Sequence, residues 1–418
     1  MTSLRSAQAS AFFLFACSLL LCRPYPASAG YLDINNQAVA LLEKGDFSGG
    51  IALLKDSLQQ MPDNETVRKN LHNAYQAAGH ALMRQQRYPE LVALMDEAHE
   101  FAAEHSAFLA MRGYGLFRLK RFDEAEDDLL AVRYSDAADA SVLFLLGRIF
   151  YQTDRMYEAR DVLEDAFLLS PENTAVTELL EKVKRESAVE QEMDKEYGGH
   201  FIIIFDGEEN AGLGREVLSV LEDAYLWAGL RLGHYPEQRV PVILYSQEQF
   251  RDLTSSPHWA GGLYDGKIRL PVGGVAEVGP AVSGLLYHEY MHVVLRDLAG
   301  EHLPYWLNEG LAEIAEREHY DAPLKVLPRA ALNATLFNLE ALEGPFSRYQ
   351  GERVTLAYEQ SYLFVRFLLD EYGWFVIREI LEQLADAAGP QNAVDRVFAV
   401  YGLNYRTLQE RWRVMLPD

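Results

Sequence analysis

The chain has almost no cysteine. Of 418 residues only Cys17 and Cys22 are cysteine, and both fall within the first 29. Everything after that stretch is cysteine-free, which excludes a small domain stapled by disulfides. Basic residues are also scarce: 38 Lys and Arg stand against 62 Asp and Glu, a net charge of −24. The acid excess runs through both halves, and no basic patch interleaved with aromatics relieves it. That excludes the electrostatic footprint of a nucleic-acid partner. Long apolar runs are lacking as well. The run Ala11 to Cys22 is 12 residues, too short to span a bilayer comfortably. With Arg5 before it and Ala27-Ser28-Ala29 after it, residues 1–29 read as a cleavable secretory signal. No later run is long and apolar enough to span a bilayer, so the mature chain is expected to have no membrane span. Export without disulfides is compatible with the periplasm or cell envelope of a bacterium.

What remains is about 390 residues, enough for two or three domains. Its first part repeats. Lys44-Gly45-Asp46-Phe47, Gln86-Arg87-Tyr88, Lys120-Arg121-Phe122 and Asp154-Arg155-Met156 share a pattern whose apolar member falls at 47, 88, 122 and 156. Two of the steps are 34 residues, the tetratricopeptide period; the first is 41, which predicts one helix longer by about two turns. Pro62 and Pro171 each lie 15 residues after an anchor, where a helix should end. Residues 31–190 are therefore expected to form an all-α solenoid, whose groove would receive a protein partner. Ala188 to Tyr197 is charged and reads as the last helix running into a boundary. The sequons at Asn64 and Asn333 are read as chance.

The second part is organised around Leu285 to Leu295, which contains His288-Glu289-Tyr290-Met291-His292. Two histidines four apart lie on one helix face, one turn from each other, which suits two imidazole ligands of one Zn²⁺. Glu289 lies beside that line, placed to take a proton from water without being a ligand. A second apolar stretch follows, Leu303 to Glu313, with Pro304 fit for the first turn of a helix. A catalytic zinc site needs a third protein ligand. Glu309 lies 17 residues after His292, room for one helix to end and an antiparallel one to begin. Glu313, one turn on, could accept the free N–H of a ligand histidine.

His288-Glu289-x-x-His292 followed by Trp306-Leu307-Asn308-Glu309-Gly310-Leu311-Ala312 resembles the gluzincin metallopeptidases. The Asn-Glu-Gly-Leu-Ala stretch is similar to the third-ligand motif of aminopeptidase N-like enzymes. The nearest resemblance is to the bacterial peptidase MA-like domain, often found behind tetratricopeptide repeats. It covers about residues 200–418. It implies zinc on His288, His292 and Glu309, Glu289 as general base, and peptide or protein substrates. No Gly-Ala-Met-Glu-Asn-type exopeptidase signature is present.

The rest of this part is read around that centre. His200 to Phe205 and Val240 to Tyr245 are expected strands, with Pro241 confining the latter to an edge or to its first turn. A helix is expected from about Gly212 to Leu232. Gly261 to Pro271 reads as a hairpin turning at Asp265-Gly266. Gluzincin-like folds run an edge strand beside the zinc helix, so the resemblance suggests Gly261, Gly262, Leu263 and Tyr264 as substrate-binding. Tyr358 and Tyr362 share a helix face, and Tyr-x-Gln-Ser-Tyr is similar to a stretch of the peptidase MA-like family. Either is expected to donate to the oxyanion. Ala393 to Leu416 is read as a closing helical pair. The fold expected is multi-domain: a tetratricopeptide solenoid at 31–190, then an α+β, thermolysin-like domain at 198–418 with a C-terminal helical part. Two other readings stay open. One is a catalytically inactive repeat scaffold that keeps the peptidase fold for binding; the other is a hydrolase of cell-wall peptide amides.

Overall fold

The computed structural model describes residues 29–101, 106–135, 138–207, 210–254, 262–272, 275–300, 303–386 and 389–416. Residues 1–28, with both cysteines and nearly all of the secretory-signal reading, lie outside that set. The chain divides into two compact units, 1–138 and 139–418.

The first unit holds three helical hairpins. They are α1 (Ala29–Glu43) with α2 (Phe47–Gln60), α3 (Glu65–Arg84) with α4 (Tyr88–Phe101), and α5 (Ser106–Arg118) with α6 (Phe122–Arg133). The second unit opens with a fourth, α7 (Ala140–Gln152) and α8 (Met156–Leu169), followed by α9 (Thr174–Glu190). The four sequence anchors, Phe47, Tyr88, Phe122 and Met156, are each the first residue of a hairpin's second helix. Two residues before each anchor the backbone turns left-handed, at Gly45, Gln86, Lys120 and Asp154 (φ 82°, 57°, 58° and 61°). The same pair of bonds closes each turn; in the second hairpin, Gln86 N–H donates to the Met83 carbonyl and Arg87 N–H to the Leu82 carbonyl. This is the Schellman closure of a helix end. The 41-residue first step is absorbed by α3, which runs 20 residues where α5 and α7 run 13. Asn64 caps α3, accepting from the Thr66 and Val67 amides, so its side chain already has a structural role.

The second unit then builds a five-stranded sheet. Its strands are β1 (Asp194–Tyr197), β2 (Phe201–Phe205), β3 (Val240–Leu244), β4 (Leu263–Tyr264) and β5 (Ile268–Leu270), in the order β1-β2-β3-β5-β4. β2, β3 and β5 run parallel, while β1 and β4 pair antiparallel at the two edges. The helix α10 (Ala211–Leu232) crosses from β2 to β3, and α11 (Gln247–Thr254) follows β3. Two readings change here. The charged stretch before Tyr197 ends in an edge strand, not a helix, with β1 largely exposed along Asp-Lys-Glu-Tyr. β3 is not an edge strand but the central one. Pro241 is accommodated because pairing with β5 begins only at Val242, so its missing N–H falls before that ladder starts.

Alternation sorts the sheet's faces. Phe201, Ile203, Phe205, Val242, Leu244, Ile268 and Leu270 point into the main core. There they meet α10, α12 (Pro280–Ala299), α13 (Tyr305–Arg317), α15 (Glu352–Asp386), α16 (Pro390–Phe398) and α17 (Tyr405–Val414); α14 (Leu327–Leu332) packs on α15. The long α15 is kinked at Gly373, whose φ of 74° is not helical. The other face of the sheet carries Ile204, Ile243 and Tyr245 against Met193 and Phe250. It also carries two fully buried cations, Lys267 just before β5 and Arg269 within it. Lys267 Nζ reaches Asp154 Oδ1 at 2.8 Å, and Arg269 Nη2 reaches Glu186 Oε2 at 2.9 Å. Asp154 also holds Lys195, Asp265 pairs with Arg269 and Lys182, and Tyr151 donates to Glu186. The last repeat helices thus supply the partners of charges on the sheet.

Candidate metal centre and active site

Helix α12 starts on Pro280 behind Gly279 and stops at Gly300, whose φ is 61°. Leu286, Tyr290, Val293 and Val294 bury its apolar side, which leaves His288 and His292 together on another. After a short loop α13 begins, with Pro304 at its N-cap rather than inside its first turn. Gly310 sets how closely α13 lies on α15: a β-carbon there would sit 2.6 Å from the Ser361 carbonyl oxygen. α13 also packs directly on α12, which sets Glu309 beside the two histidines.

Glu309 Oε2 lies 3.8 Å from His288 Nε2 and 3.6 Å from His292 Nε2. One ligand atom from each of the three residues falls within 4.8 Å of the others. Ligands about 2.0–2.2 Å from a tetrahedral ion stand about 3.4 Å apart, so the cluster fits a small divalent metal with little rearrangement. The tautomers agree. Asn308 Nδ2 donates to Glu309 Oε1 at 3.3 Å, which turns its Oδ1 toward His292 Nδ1 at 3.0 Å. His292 therefore carries its proton on Nδ1 and offers a bare Nε2. His288 Nδ1 faces Glu316 Oε2 at 2.9 Å, leaving its Nε2 toward Glu309.

Electrostatics follow from burial. Burial alone would lower the His288 pKa, but Glu316, Glu289 and Glu309 outweigh it and hold it up at about 10. At His292 burial wins and the pKa falls. Burial is also the main reason the Glu289 pKa is pushed up to about 7, with Glu309 and Glu316 adding to it and His288 opposing. Glu289 is 4 % exposed, and its Oε2 has no hydrogen-bond partner among the described residues. A buried carboxylate oxygen without a partner is costly unless a ligand completes it. A metal and water in front of it would do so.

Each residue singled out by sequence can now be placed. His288, Glu289, His292 and Glu309 are brought together. Glu313 is not the residue facing His288 Nδ1 at hydrogen-bond distance; it pairs with Arg317 at 2.8 Å, and Glu316, three residues on, faces the ring. Glu316 was legible as Glu309's neighbour two turns along the same face, but one turn was the nearer choice. Tyr358 lies on α15 where Glu309, Glu313 and Glu289 all raise its pKa, behind burial as the main cause. Tyr362 instead takes the Arg317 guanidinium over its ring at 4.6 Å. Between them Glu359 and Gln360 are structural: Glu359 accepts from the Lys325, Val326 and Leu327 amides, and Gln360 pairs with the Phe337 backbone. Leu263 and Tyr264 form edge strand β4, and Gly262 precedes them facing Glu289. Gly261 lies outside the described residues.

No curated protein matches the chain. Solved structures give loose likenesses only. The MamA RS-1 ArsTM double mutant is 18 % identical over 40 % of this chain and 89 % of that one, with a TM-score of 0.32. MamA 41-end from Desulfovibrio magneticus RS-1 is 21 % identical over 39 % and 88 %, with a TM-score of 0.31. A tetratricopeptide repeat protein from Parabacteroides merdae is 12 % identical over 79 % and 98 %, with a TM-score of 0.34. The match that bears on the site is to a family model: residues 230–418, which hold the histidine pair, Glu309 and both tyrosines, match the Peptidase MA superfamily.

Proposed function

We propose that the chain is an exported zinc-dependent peptidase whose repeats bind a protein partner or substrate. One observation carries this reading. Two imidazole nitrogens and one carboxylate oxygen converge at near-tetrahedral spacing beside a buried glutamate with an unpartnered oxygen. The match of this stretch to the Peptidase MA superfamily supports it. Two nitrogens and one oxygen suit zinc and leave a position open.

His288, His292 and Glu309 would hold the ion, with Asn308 and Glu316 fixing the two rings. When bound, zinc supplies Lewis acidity, polarising a carbonyl and making water a nucleophile at neutral pH. The chain's own residues do the rest. Glu289, raised toward neutrality, takes a proton from the attacking water and delivers it to the leaving amine nitrogen. The Tyr358 hydroxyl is the oxyanion donor, because it stands in the field of the site's carboxylates while Tyr362 serves Arg317. β4, paired on one side only among the described residues, receives the substrate as an added strand.

The test is cleavage of a peptide library by the chain lacking residues 1–29, with zinc measured by elemental analysis. One zinc per chain, and hydrolysis abolished in Glu289→Ala with metal retained, is the expected result. Full zinc occupancy in His288→Ala would overturn the ligand assignment. A zinc-loaded wild-type chain that cleaves neither the library nor muropeptides would leave a binding scaffold instead.

A further inference from the structure

One turn beyond His292 the zinc helix presents Arg296, so His288, His292 and Arg296 follow one another at four-residue steps. Glu309 is extended in the same way, with Tyr305 one turn before it at the start of α13. These two extensions leave the metal cluster at the same end, where α12 finishes and α13 begins. Edge strand β4 closes the third side: the Arg296 guanidinium lies 5.9 Å from the centre of the Tyr264 ring. Arg296 is exposed, and among the described residues it has no carboxylate partner. Its neighbour Asp297 pairs with His234 Nε2 at 2.5 Å. Tyr305 feels both charges, its pKa raised mainly by burial and by Glu309 and lowered by Arg296.

An uncompensated guanidinium is notable in a chain of net charge −24. A substrate bearing negative charge meets general repulsion from such a protein, so a local cation has to supply its attraction. Guanidinium is the side chain best shaped for this, since it grips a carboxylate with two parallel N–H donors. The Tyr264 ring gives the planar fork a wall on the β4 side.

We propose that Arg296, beside Tyr264 of the edge strand, is a specificity-determining residue that takes a carboxylate of the peptide substrate. The inference rests on the peptidase reading and deepens it by naming the substrate class. One helical turn is about 5.4 Å and one extended residue about 3.4 Å, so the carboxylate belongs within about two residues of the scissile bond. Two sources share that chemistry: an acidic side chain in the middle of a peptide, or the free carboxylate at its end.

The test uses zinc-loaded protein and matched peptides. In one arm a glutamate or a glutamine is moved through each position of an amidated peptide. In the other, a neutral peptide ends in a free acid or an amide. Wild type should favour the carboxylate member of one arm by about tenfold in kcat/KM, the worth of one charge-assisted contact. Arg296→Gln should remove that preference with the melting temperature unchanged, and Arg296→Glu should reverse it. Equal rates in wild type for both members of both arms, or a preference that survives Arg296→Gln, would overturn it. Failure of the peptidase reading is separable. Binding of the same peptides to Glu289→Gln protein, read by fluorescence anisotropy, needs no turnover. A carboxylate preference there that vanishes on adding Arg296→Gln supports the inference even if nothing is cleaved; equal binding refutes it.

Discussion

Gly262 stands against the Glu289 carboxylate with no room between them for a β-carbon. The residue that leads into edge strand β4 and the proposed general base are therefore in backbone-to-side-chain contact. Gly262→Ala must push Glu289 or the strand aside, and a displacement of about 1 Å at a reacting group costs about 100-fold in rate. We expect that loss in kcat/KM with zinc content and melting temperature nearly unchanged. Peptide hydrolysis at the wild-type rate would show that neither group moves in a way that matters.

Glu316 and Glu313 make a paired test of what orients His288. Glu316→Gln removes the carboxylate 2.9 Å from Nδ1 and should weaken zinc binding by about 10–100-fold, measured by competition with a chelator. Glu313→Gln breaks the ion pair with Arg317 and a longer approach to His288, and should change affinity far less. The reverse ranking would return the role to Glu313.

The two tyrosines separate in the same manner. Tyr358→Phe should lower kcat by about 100-fold or more at little cost in KM, as loss of an oxyanion donor does. Tyr362→Phe keeps the ring that carries Arg317 and should be close to silent. Equal effects would mean that neither hydroxyl is the donor.

Where the chain is cut should decide whether the second unit folds. A fragment starting at 139 keeps Tyr151, Asp154, Glu186 and Glu190 as partners for Lys267 and Arg269. A fragment starting at 191 leaves Lys267 without Asp154 and Glu190, and Arg269 without Glu186 and Tyr151. Breaking one buried pair costs about 3–5 kcal/mol, so losing both removes an amount comparable with a domain's whole stability of about 5–15 kcal/mol. Circular dichroism with thermal melting should show a cooperative transition for 139–418 and none for 191–418.

The left-handed turns offer a gain. Gln86 and Lys120 hold φ of 57° and 58°, where a side chain is strained and glycine is not. Gln86→Gly and Lys120→Gly should each stabilise by about 0.5–1 kcal/mol in urea unfolding. Asp154→Gly at the equivalent place should destabilise, because its carboxylate holds Lys195 and Lys267.

Much of this was legible because its signals are local. A 34-residue period and a four-residue histidine step are set by helix geometry alone, and both hold where expected. Pairing across the fold was not. Nothing near Lys267 and Arg269 announces that Asp154, over a hundred residues earlier, answers them; alternate charges on a short strand look like a solvated edge. β1 was hidden for a similar reason. Asp-Lys-Glu-Tyr has no apolar alternation, because only one of its edges is paired and its side chains stay outside. Glu316 was passed over because one turn and two turns both place a carboxylate on the right face, and the distance between two helices chooses.

The two rims of the sheet are unlike. β1 ends it with a row of charges, which discourages any second strand from zipping on. β4 ends it with Leu263 and Tyr264, uncharged and beside Glu289. If β4 takes substrate as an added strand, the same rim should take this protein's own unravelled copies. Heating a concentrated sample should then consume it by self-digestion, with the folded fraction destroying the unfolded one rather than clumping with it. Glu289→Ala protein, heated alongside, should leave full-length chain on the gel.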